Sequence, residues 1–172
     1  CEDNNKARCG NIQVPLNWDK PGAGAINIAV AVYPALNPKT APYLLMNPGG
    51  PGASGRDWVI NYITSFGTKK LRENYNIVGF DPRGVGASTS IKCYDTAKLR
   101  NFLYSASPYD YGTAQDLEFT KKSIKDFGAA CLKNTGALLG HVDTSSAAKD
   151  MDIIRAVFGS KKLNYVGFSY GT

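Results

Sequence analysis

Two segments near the start of the chain combine β-branched and apolar residues over strand-like lengths. They are residues 11–16 and residues 25–33, and a turn that contains proline and glycine separates them at residues 19–22. Runs of this kind bounded by turn residues are typical of strands joined as a hairpin. The pattern therefore predicts two antiparallel strands at the beginning of the fold.

The next part of the chain alternates strands with a helix. Apolar runs at residues 43–46 and 77–80 flank a glycine-rich turn and an amphipathic stretch at residues 56–66. Strand, helix and strand at this spacing form a βαβ unit, whose two strands lie parallel in one sheet. The expected fold class is α/β, with a mostly parallel sheet, antiparallel N-terminal strands and flanking helices.

Apolar positions spaced by three and four residues indicate helices in the second half of the chain. Residues 113–133 are predicted to form a long helix with Thr113 as its N-cap. Its apolar stripe comprises Leu117, Thr120, Ile124, Phe127 and Cys131. A weaker pattern indicates a short helix at residues 95–103.

A further helix and a strand are predicted before the end of the chain. The helix covers residues 144–158, with Asp143 or Thr144 as its cap and Gly159 as its stop signal. The strand covers residues 163–168. Because no long linker interrupts the chain, we expect residues 1–172 to belong to a single domain.

The last predicted strand runs into residues 167–171, Gly-Phe-Ser-Tyr-Gly, a G-x-S-x-G sequence. Such a serine lies on a sharp turn from strand to helix, where flanking glycines avoid clashes with neighbouring backbone. Chance matches occur in a chain with 18 glycines. The strand immediately before the motif is, however, the context that a nucleophile elbow requires. We predict that Ser169 is a catalytic nucleophile.

A second glycine-rich segment follows the strand at residues 43–46. Residues 47–55 are Asn-Pro-Gly-Gly-Pro-Gly-Ala-Ser-Gly, and glycines allow a backbone N–H to approach a developing oxyanion closely. We predict that the N–H groups of Gly50 and Tyr170 form an oxyanion hole. The structural alternative is a tight turn with no ligand.

The same loop supports a different hypothesis. Gly50, Gly52 and Gly55 fit the G-x-G-x-x-G fingerprint of a dinucleotide-binding module, and Asp81 follows the next strand, near where a ribose-binding acid would lie. That fingerprint normally opens a sheet, whereas two predicted strands precede this loop. It also leaves residues 167–171 unexplained. An NAD(P)-binding Rossmann module is therefore the less favoured alternative.

A third segment, residues 79–88, reads Gly-Phe-Asp-Pro-Arg-Gly-Val-Gly-Ala-Ser. Together with residues 47–52 and 166–172, it resembles α/β-hydrolases of the proline iminopeptidase and tripeptidyl aminopeptidase branch. The resemblance implies a serine peptidase that needs no cofactor and cleaves peptide bonds near a free N-terminus. An esterase or lipase of the same fold is the second alternative. Within this segment we predict that Asp81 and Arg83 pair and brace a turn, without a catalytic role.

The catalytic acid and base of such an enzyme are not found in this sequence. His141 precedes Ser169, whereas the α/β-hydrolase order places the acid and histidine after the serine. We therefore expect His141 to be a structural or surface residue. The chain also stops three residues after Ser169, before the helix that an elbow enters. We expect an N-terminal portion, inactive alone, whose C-terminal portion is a continuation or a second chain.

Composition and charge restrict the partners. The chain carries 20 Lys and Arg against 14 Asp and Glu, a net charge of +6, and its basic pairs are scattered without interleaved aromatics. This distribution favours a solvated surface over a nucleic-acid-binding face. The apolar runs are shorter than the roughly 20 residues of a transmembrane helix. The partner that the family resemblance implies is a peptide with a free N-terminus.

Four cysteines, Cys1, Cys9, Cys93 and Cys131, show no C-x-x-C spacing, and His141 lacks neighbouring ligands, so no metal site is predicted. An even count fits two disulfides in a secreted or extracellular protein, although four reduced thiols would give the same count. Of three possible pairings we choose Cys1–Cys9 and Cys93–Cys131, because it joins local partners and resembles the family's cysteine placement. A lipid-modified Cys1 is an alternative.

Overall fold

The computed structural model describes Cys1 and residues 6–172, and a mixed sheet lies at its centre. The sheet has five strands in the order β1-β2-β4-β3-β5, namely β1 (Arg8–Pro15), β2 (Ala25–Tyr33), β3 (Tyr43–Asn47), β4 (Asn76–Phe80) and β5 (Tyr165–Gly167). β2 is antiparallel to both β1 and β4, whereas β3 is parallel to β4 and β5. The predicted α/β class and the parallel pairing of residues 43–46 with the last strand are confirmed.

The last strand is shorter than predicted. β5 pairs with β3 only from Leu45 opposite Tyr165 to Asn47 opposite Gly167. Before this stretch, the side-chain amide of Asn164 donates to the Tyr43 carbonyl at 2.9 Å. A side chain thus donates to a carbonyl that would accept from a backbone amide if the ladder between β3 and β5 were longer. Leu163 lies outside the strand.

Six α-helical segments accompany the sheet in the described part of the chain: α1 (Gly55–Asp57), α2 (Ile63–Phe66), α3 (Lys69–Asn74), α4 (Thr96–Tyr104), α5 (Ala114–Thr135) and α6 (Thr144–Val157). A π-helical turn, Trp58–Tyr62, joins α1 to α2. The predicted caps are confirmed, because Thr113 accepts from the Asp116 amide and Asp143 accepts from the Ser146 amide. Three 3₁₀ turns lie at Pro21–Ala23, Gly136–His141 and Ser169–Gly171.

Helices cover both faces of the sheet. Met46 and Ile77 are buried with Val59 of the π-helical turn, whereas the neighbouring residues of the two strands lie beside Ile154 and Phe158 of the α6 region. Because successive strand residues point to opposite faces, these two helical segments lie on opposite sides of the sheet. Burying apolar surface on both faces supplies the main driving force for this arrangement.

The described residues form two compact units, Cys1–Ser90 with His141–Thr172, and Ile91–Gly140. The first contains the sheet and the Cys1–Cys9 disulfide, and the second contains α4, α5 and the Cys93–Cys131 disulfide. The predicted disulfide pairing is therefore confirmed. The assignment of residues 1–172 to a single domain remains a prediction.

The apolar stripe of α5 is only partly buried. Cys131 is buried in its disulfide, and Phe127 stacks on Phe102 with ring centroids 4.3 Å apart. Leu117 and Ile124, further towards the start of the helix, are 53% and 59% exposed. Helical spacing places residues on one face, but only a neighbouring element buries that face.

Candidate active site

The turn after β5 holds Ser169 in an unusual backbone conformation. β5 ends at Gly167, and the Phe168 amide then donates to the Asn47 carbonyl of β3 at 3.0 Å. Ser169 follows with a φ of +53°, and it is the one non-glycine residue with positive φ in the described part of the chain. Left-handed backbone in a residue with a Cβ costs of order 1–3 kcal/mol, and such residues cluster at active sites and ligand-binding sites. The serine is also exposed.

The two glycines of the motif are required by close backbone packing. A Cβ on Gly167 would overlap the Gly171 carbonyl oxygen, and a Cβ on Gly171 would lie 2.7 Å from the Asn47 carbonyl oxygen. The Tyr165 hydroxyl donates to the Gly171 carbonyl. Burial raises the pKa of Tyr165, so the hydroxyl keeps the proton that this bond uses. The backbone on both sides of Ser169 is therefore tightly packed.

The glycine-rich loop, residues 47–55, passes directly beside this turn. A Cβ on Gly49 would overlap the Phe168 carbonyl oxygen and lie 2.9 Å from the Tyr170 amide nitrogen. The side chain of Asn47 supports the approach by accepting from the Gly49 amide at 2.9 Å. Gly50 follows with a φ of +112°. Thus the structure brings the segment that carries Gly50 next to Ser169 and Tyr170, whereas their oxyanion role remains a prediction.

Asn47 and Gly49 are not among the site residues predicted from sequence, although both shape this contact. The signal was present in the chain, since two glycines in succession directly after a strand indicate a close backbone approach. What the sequence did not indicate is the surface that Gly49 approaches. That surface is the backbone of residues 168–171, which lies about 120 positions away along the chain.

Tyr170 and His141 have defined partners. The Tyr170 hydroxyl lies 2.7 Å from the Thr144 hydroxyl at the start of α6. The His141 main-chain carbonyl accepts from Arg83 Nη1 at 2.8 Å, whereas the role of the His141 side chain remains a prediction. Among Cys1 and residues 6–172, no side chain is hydrogen-bonded to the Ser169 hydroxyl.

The predicted pair between Asp81 and Arg83 is wrong. Arg83 instead binds Asp150 of α6 through two bonds, Nε to Oδ2 at 2.7 Å and Nη2 to Oδ1 at 2.6 Å. Its remaining donors reach the carbonyls of Pro15, Leu16 and His141. A buried guanidinium needs several acceptors around one plane. Residues next to Arg83 in sequence do not supply that set, but three separate segments do.

Asp150 is fully enclosed by this arrangement. Its carboxylate is 1% exposed and also accepts from the Trp18 indole at 3.1 Å. Burial raises the pKa of Asp150 above its usual range, and the hydrogen bonds from Arg83 and Trp18 oppose that shift. The pair therefore joins α6 to the end of β1 and to the loop after β4.

Other chemistry has no counterpart in the described residues. Within that part of the chain, His, Cys, Asp and Glu form no group of three that could hold a metal ion. Likewise, none of its helices combines the length and apolar character needed to cross a bilayer. The nucleophile elbow and the adjacent loop are the features that define a site.

A strand, a strained serine turn and a glycine loop beside it are the arrangement of an α/β-hydrolase. The sequence profile of the alpha/beta hydrolase fold matches residues 42–172. The chain belongs to the α/β-hydrolase family. This membership gives no support to the dinucleotide-binding alternative.

Curated relatives narrow the comparison further. Serine protease Hip1 of Mycobacterium tuberculosis (strain ATCC 25618 / H37Rv) is 36% identical over 168 residues, which cover 96% of this chain and 32% of that protein. Tripeptidyl aminopeptidase of Streptomyces coelicolor (strain ATCC BAA-471 / A3(2) / M145) is 35% identical over 96% of this chain and 31% of its own length. Carboxylesterase B of Mycobacterium tuberculosis (strain ATCC 25618 / H37Rv) is 36% identical over 87% of this chain and 28% of its own length. The chain thus spans roughly a third of the length of these relatives.

Proposed function

We propose that this chain carries the nucleophile and oxyanion hole of a serine peptidase that cleaves peptide bonds near a free N-terminus. The observation that carries the proposal is the left-handed backbone of Ser169 between two sterically required glycines, with the Gly49–Gly50 segment alongside. Relatives named as a serine protease and a tripeptidyl aminopeptidase support the choice of peptide substrates.

In the proposed reaction the Ser169 oxygen attacks the carbonyl carbon of the scissile peptide bond. A C–O bond forms, the carbonyl electron pair moves onto oxygen, and the N–H groups of Gly50 and Tyr170 stabilise the oxyanion. A general base takes the serine proton and delivers it to the leaving amine as the C–N bond breaks. Water then hydrolyses the acyl-enzyme, which releases the acid product and restores the serine. No cofactor takes part.

The general base and its orienting acid are proposed to come from a C-terminal portion of the same hydrolase, either as a continuation or as a second chain. Two observations support this: no side chain in the described residues bonds the Ser169 hydroxyl, and the relatives are about three times as long as this chain. The two disulfides support a secreted or extracellular location. We propose no nucleic-acid partner.

An esterase with the same nucleophile is the second candidate function. The relative named carboxylesterase B favours it, because its match covers most of this chain. Esterase and peptidase use the same elbow and oxyanion hole, and the comparison of matched ester and peptide substrates separates them.

The first experiment identifies the nucleophile in the complete enzyme that contains this chain. A serine-directed phosphonate is expected to label Ser169, and Ser169→Ala is expected to lower kcat by roughly 10⁴-fold or more. Ser145→Ala, an exposed serine at the start of α6, is the matched control and should keep full activity. Label at another residue, or dinucleotide binding without any label, would overturn the proposal.

A second measurement addresses the substrate. The enzyme is given one peptide with a free N-terminus, the same peptide acetylated at that terminus, and an acetylated ester. We expect cleavage of the free peptide and a large loss on acetylation. Equal cleavage of both peptides contradicts the requirement for a free N-terminus, and cleavage of the ester alone favours the esterase.

A further inference from the structure

We infer that Asp81 is a positioning residue for the oxyanion loop, residues 47–55, and that it acts through the hydroxyl of Ser54. This inference rests on the proposed function, because it concerns the geometry of the same catalytic site. It goes beyond the turn-bracing role predicted from sequence. In this role Asp81 helps to set the distance between the Gly50 amide and the carbonyl group that reacts.

Asp81 is itself held rigidly at the end of β4. The residue is 1% exposed, and its amide donates to the Ala29 carbonyl of β2 at 3.0 Å. Its own carbonyl accepts from the Ser88 hydroxyl at 2.6 Å. Both backbone groups are thus bonded to neighbouring segments. The carboxylate therefore projects from a fixed point of the sheet.

The carboxylate spans two loops. Oδ1 accepts from the Ser54 hydroxyl at 2.5 Å and from the Arg56 amide at 3.2 Å, whereas Oδ2 accepts from the Ala87 amide at 2.8 Å. A Cβ on Gly86 would overlap Oδ2, so glycine is required there as well. With three protein donors around it, the carboxylate is occupied by its own fold. It is not presented to a ribose, as the dinucleotide-binding alternative requires.

Ser54 links the fixed Asp81 carboxylate to the oxyanion loop. Its hydroxyl donates to Asp81 while accepting from the Asp57 amide at 2.9 Å, which caps α1. The opposite end of the loop is held where the Asn47 side chain accepts from Gly49. Between these ends Gly50 is exposed, and a Cβ on Gly52 would meet open space. The Ala53 amide also donates to the Gly49 carbonyl at 3.1 Å across Gly50. The position of the Gly50 amide therefore depends on this turn and on the two anchored ends that hold it.

The expected consequence is a change in catalysis rather than in substrate binding. The oxyanion exists only in the transition state and the tetrahedral intermediate, so a displaced donor raises the barrier without weakening the ground-state complex. Removing one oxyanion donor typically lowers kcat by about 10²–10³-fold. A donor that is merely displaced should lose less, so we expect a fall of about 10-fold to 100-fold in the acylation rate.

The test uses Ser54→Ala, Ser54→Thr and a matched control in the complete enzyme. Ser54→Ala removes the hydroxyl that reaches Asp81, and Ser54→Thr retains it. The control is Ser146→Ala, because the Ser146 hydroxyl likewise donates to a carboxylate, that of Asp143 at 2.8 Å, at the start of a helix. Ser146 lies outside the oxyanion loop. Its substitution should reduce stability without slowing acylation.

Single-turnover acylation rates, KM and thermal stability are measured for all variants, with Ser169→Ala included. We expect Ser54→Ala to lower the acylation rate 10-fold to 100-fold with KM within about twofold, and Ser54→Thr to restore most of it. An unchanged acylation rate in Ser54→Ala overturns the inference, and so does an equal loss of acylation rate in Ser146→Ala. In either case an inactive Ser169→Ala variant leaves the proposed function intact. Activity retained by Ser169→Ala overturns the proposed function itself.

Discussion

The unit built on the sheet and the unit built on α4 and α5 use charged residues in different ways. In the sheet unit, Arg83 and Asp150 form an ion pair whose side chains are 0% and 1% exposed. In the helical unit, the Lys122–Asp126 pair links adjacent helical turns with side chains 76% and 53% exposed. The first pair connects segments far apart in sequence, whereas the second lies on the surface of a single helix. The difference indicates that the sheet unit depends on polar contacts between segments distant in sequence.

The two units also differ in how closely other atoms pack around their glycines. In the sheet unit a Cβ would overlap backbone at Gly49, Gly55, Gly79 and Gly167. In the helical unit, Cβ atoms added at Gly112, Gly128, Gly136 and Gly140 would meet nothing within 4 Å. Glycine content alone is therefore a poor guide to a functional loop. What a side chain would meet at each position is the useful criterion.

The largest expected effect comes from removing one member of the buried pair. Asp150→Ala leaves the Arg83 charge buried without its carboxylate, which should lower the free energy of unfolding of the sheet unit by about 3–5 kcal/mol. Asp126→Ala, the control in the exposed pair, should cause no measurable change. Urea denaturation of both variants measures the difference. Similar losses in the two variants would contradict the distinction between the units.

A smaller effect is expected from a methyl group at the elbow. Gly167→Ala forces a Cβ against the Gly171 carbonyl and should destabilise the sheet unit by about 3 kcal/mol, with loss of phosphonate labelling at Ser169. Gly128→Ala places the same methyl group in open space within α5 and should stabilise that helix by about 1 kcal/mol. Thermal denaturation checks both. If Gly167→Ala and Gly128→Ala changed the stability in the same direction and by the same amount, packing would not distinguish these two glycines.

The smallest effect concerns two helix caps, of which one is a titratable carboxylate and the other a hydroxyl. Asp143→Ala and Thr113→Ala each remove an N-cap, at a cost of about 1 kcal/mol at neutral pH. Hydrogen bonds from the Ser146 amide and hydroxyl hold the pKa of Asp143 below its usual range. The unfolded state therefore binds a proton more readily than the folded state at low pH.

It follows that the stabilisation from Asp143 is present above the usual aspartate pKa of about 4 and is lost as the pH falls below it. The cost of Asp143→Ala should shrink between pH 6 and pH 3, whereas the cost of Thr113→Ala should stay constant because a hydroxyl does not titrate in this range. Urea denaturation at several pH values provides the comparison. A constant cost for Asp143→Ala would contradict the lowered pKa.

Much of the fold follows from signals that lie close together in the chain. The bounds of β2 match the predicted residues 25–33, and Thr113 and Asp143 cap their helices as predicted. Strand length, helical spacing and capping depend on neighbours within a few residues, and so does the pattern of the elbow. For the same reason the predicted family and α/β class are confirmed, while the roles of Ser169, Gly50 and Tyr170 remain proposals.

Those local signals do not predict contacts between segments that are distant in sequence. Arg83 lies two residues from Asp81 but binds Asp150, which is 67 positions away. Asp81 in turn binds Ser54, 27 positions before it. The choice of partner depends on which acceptors the folded sheet brings around each buried charge, because every buried donor and acceptor must be satisfied. Such a choice exists only once the strands have been ordered and the helices packed against them.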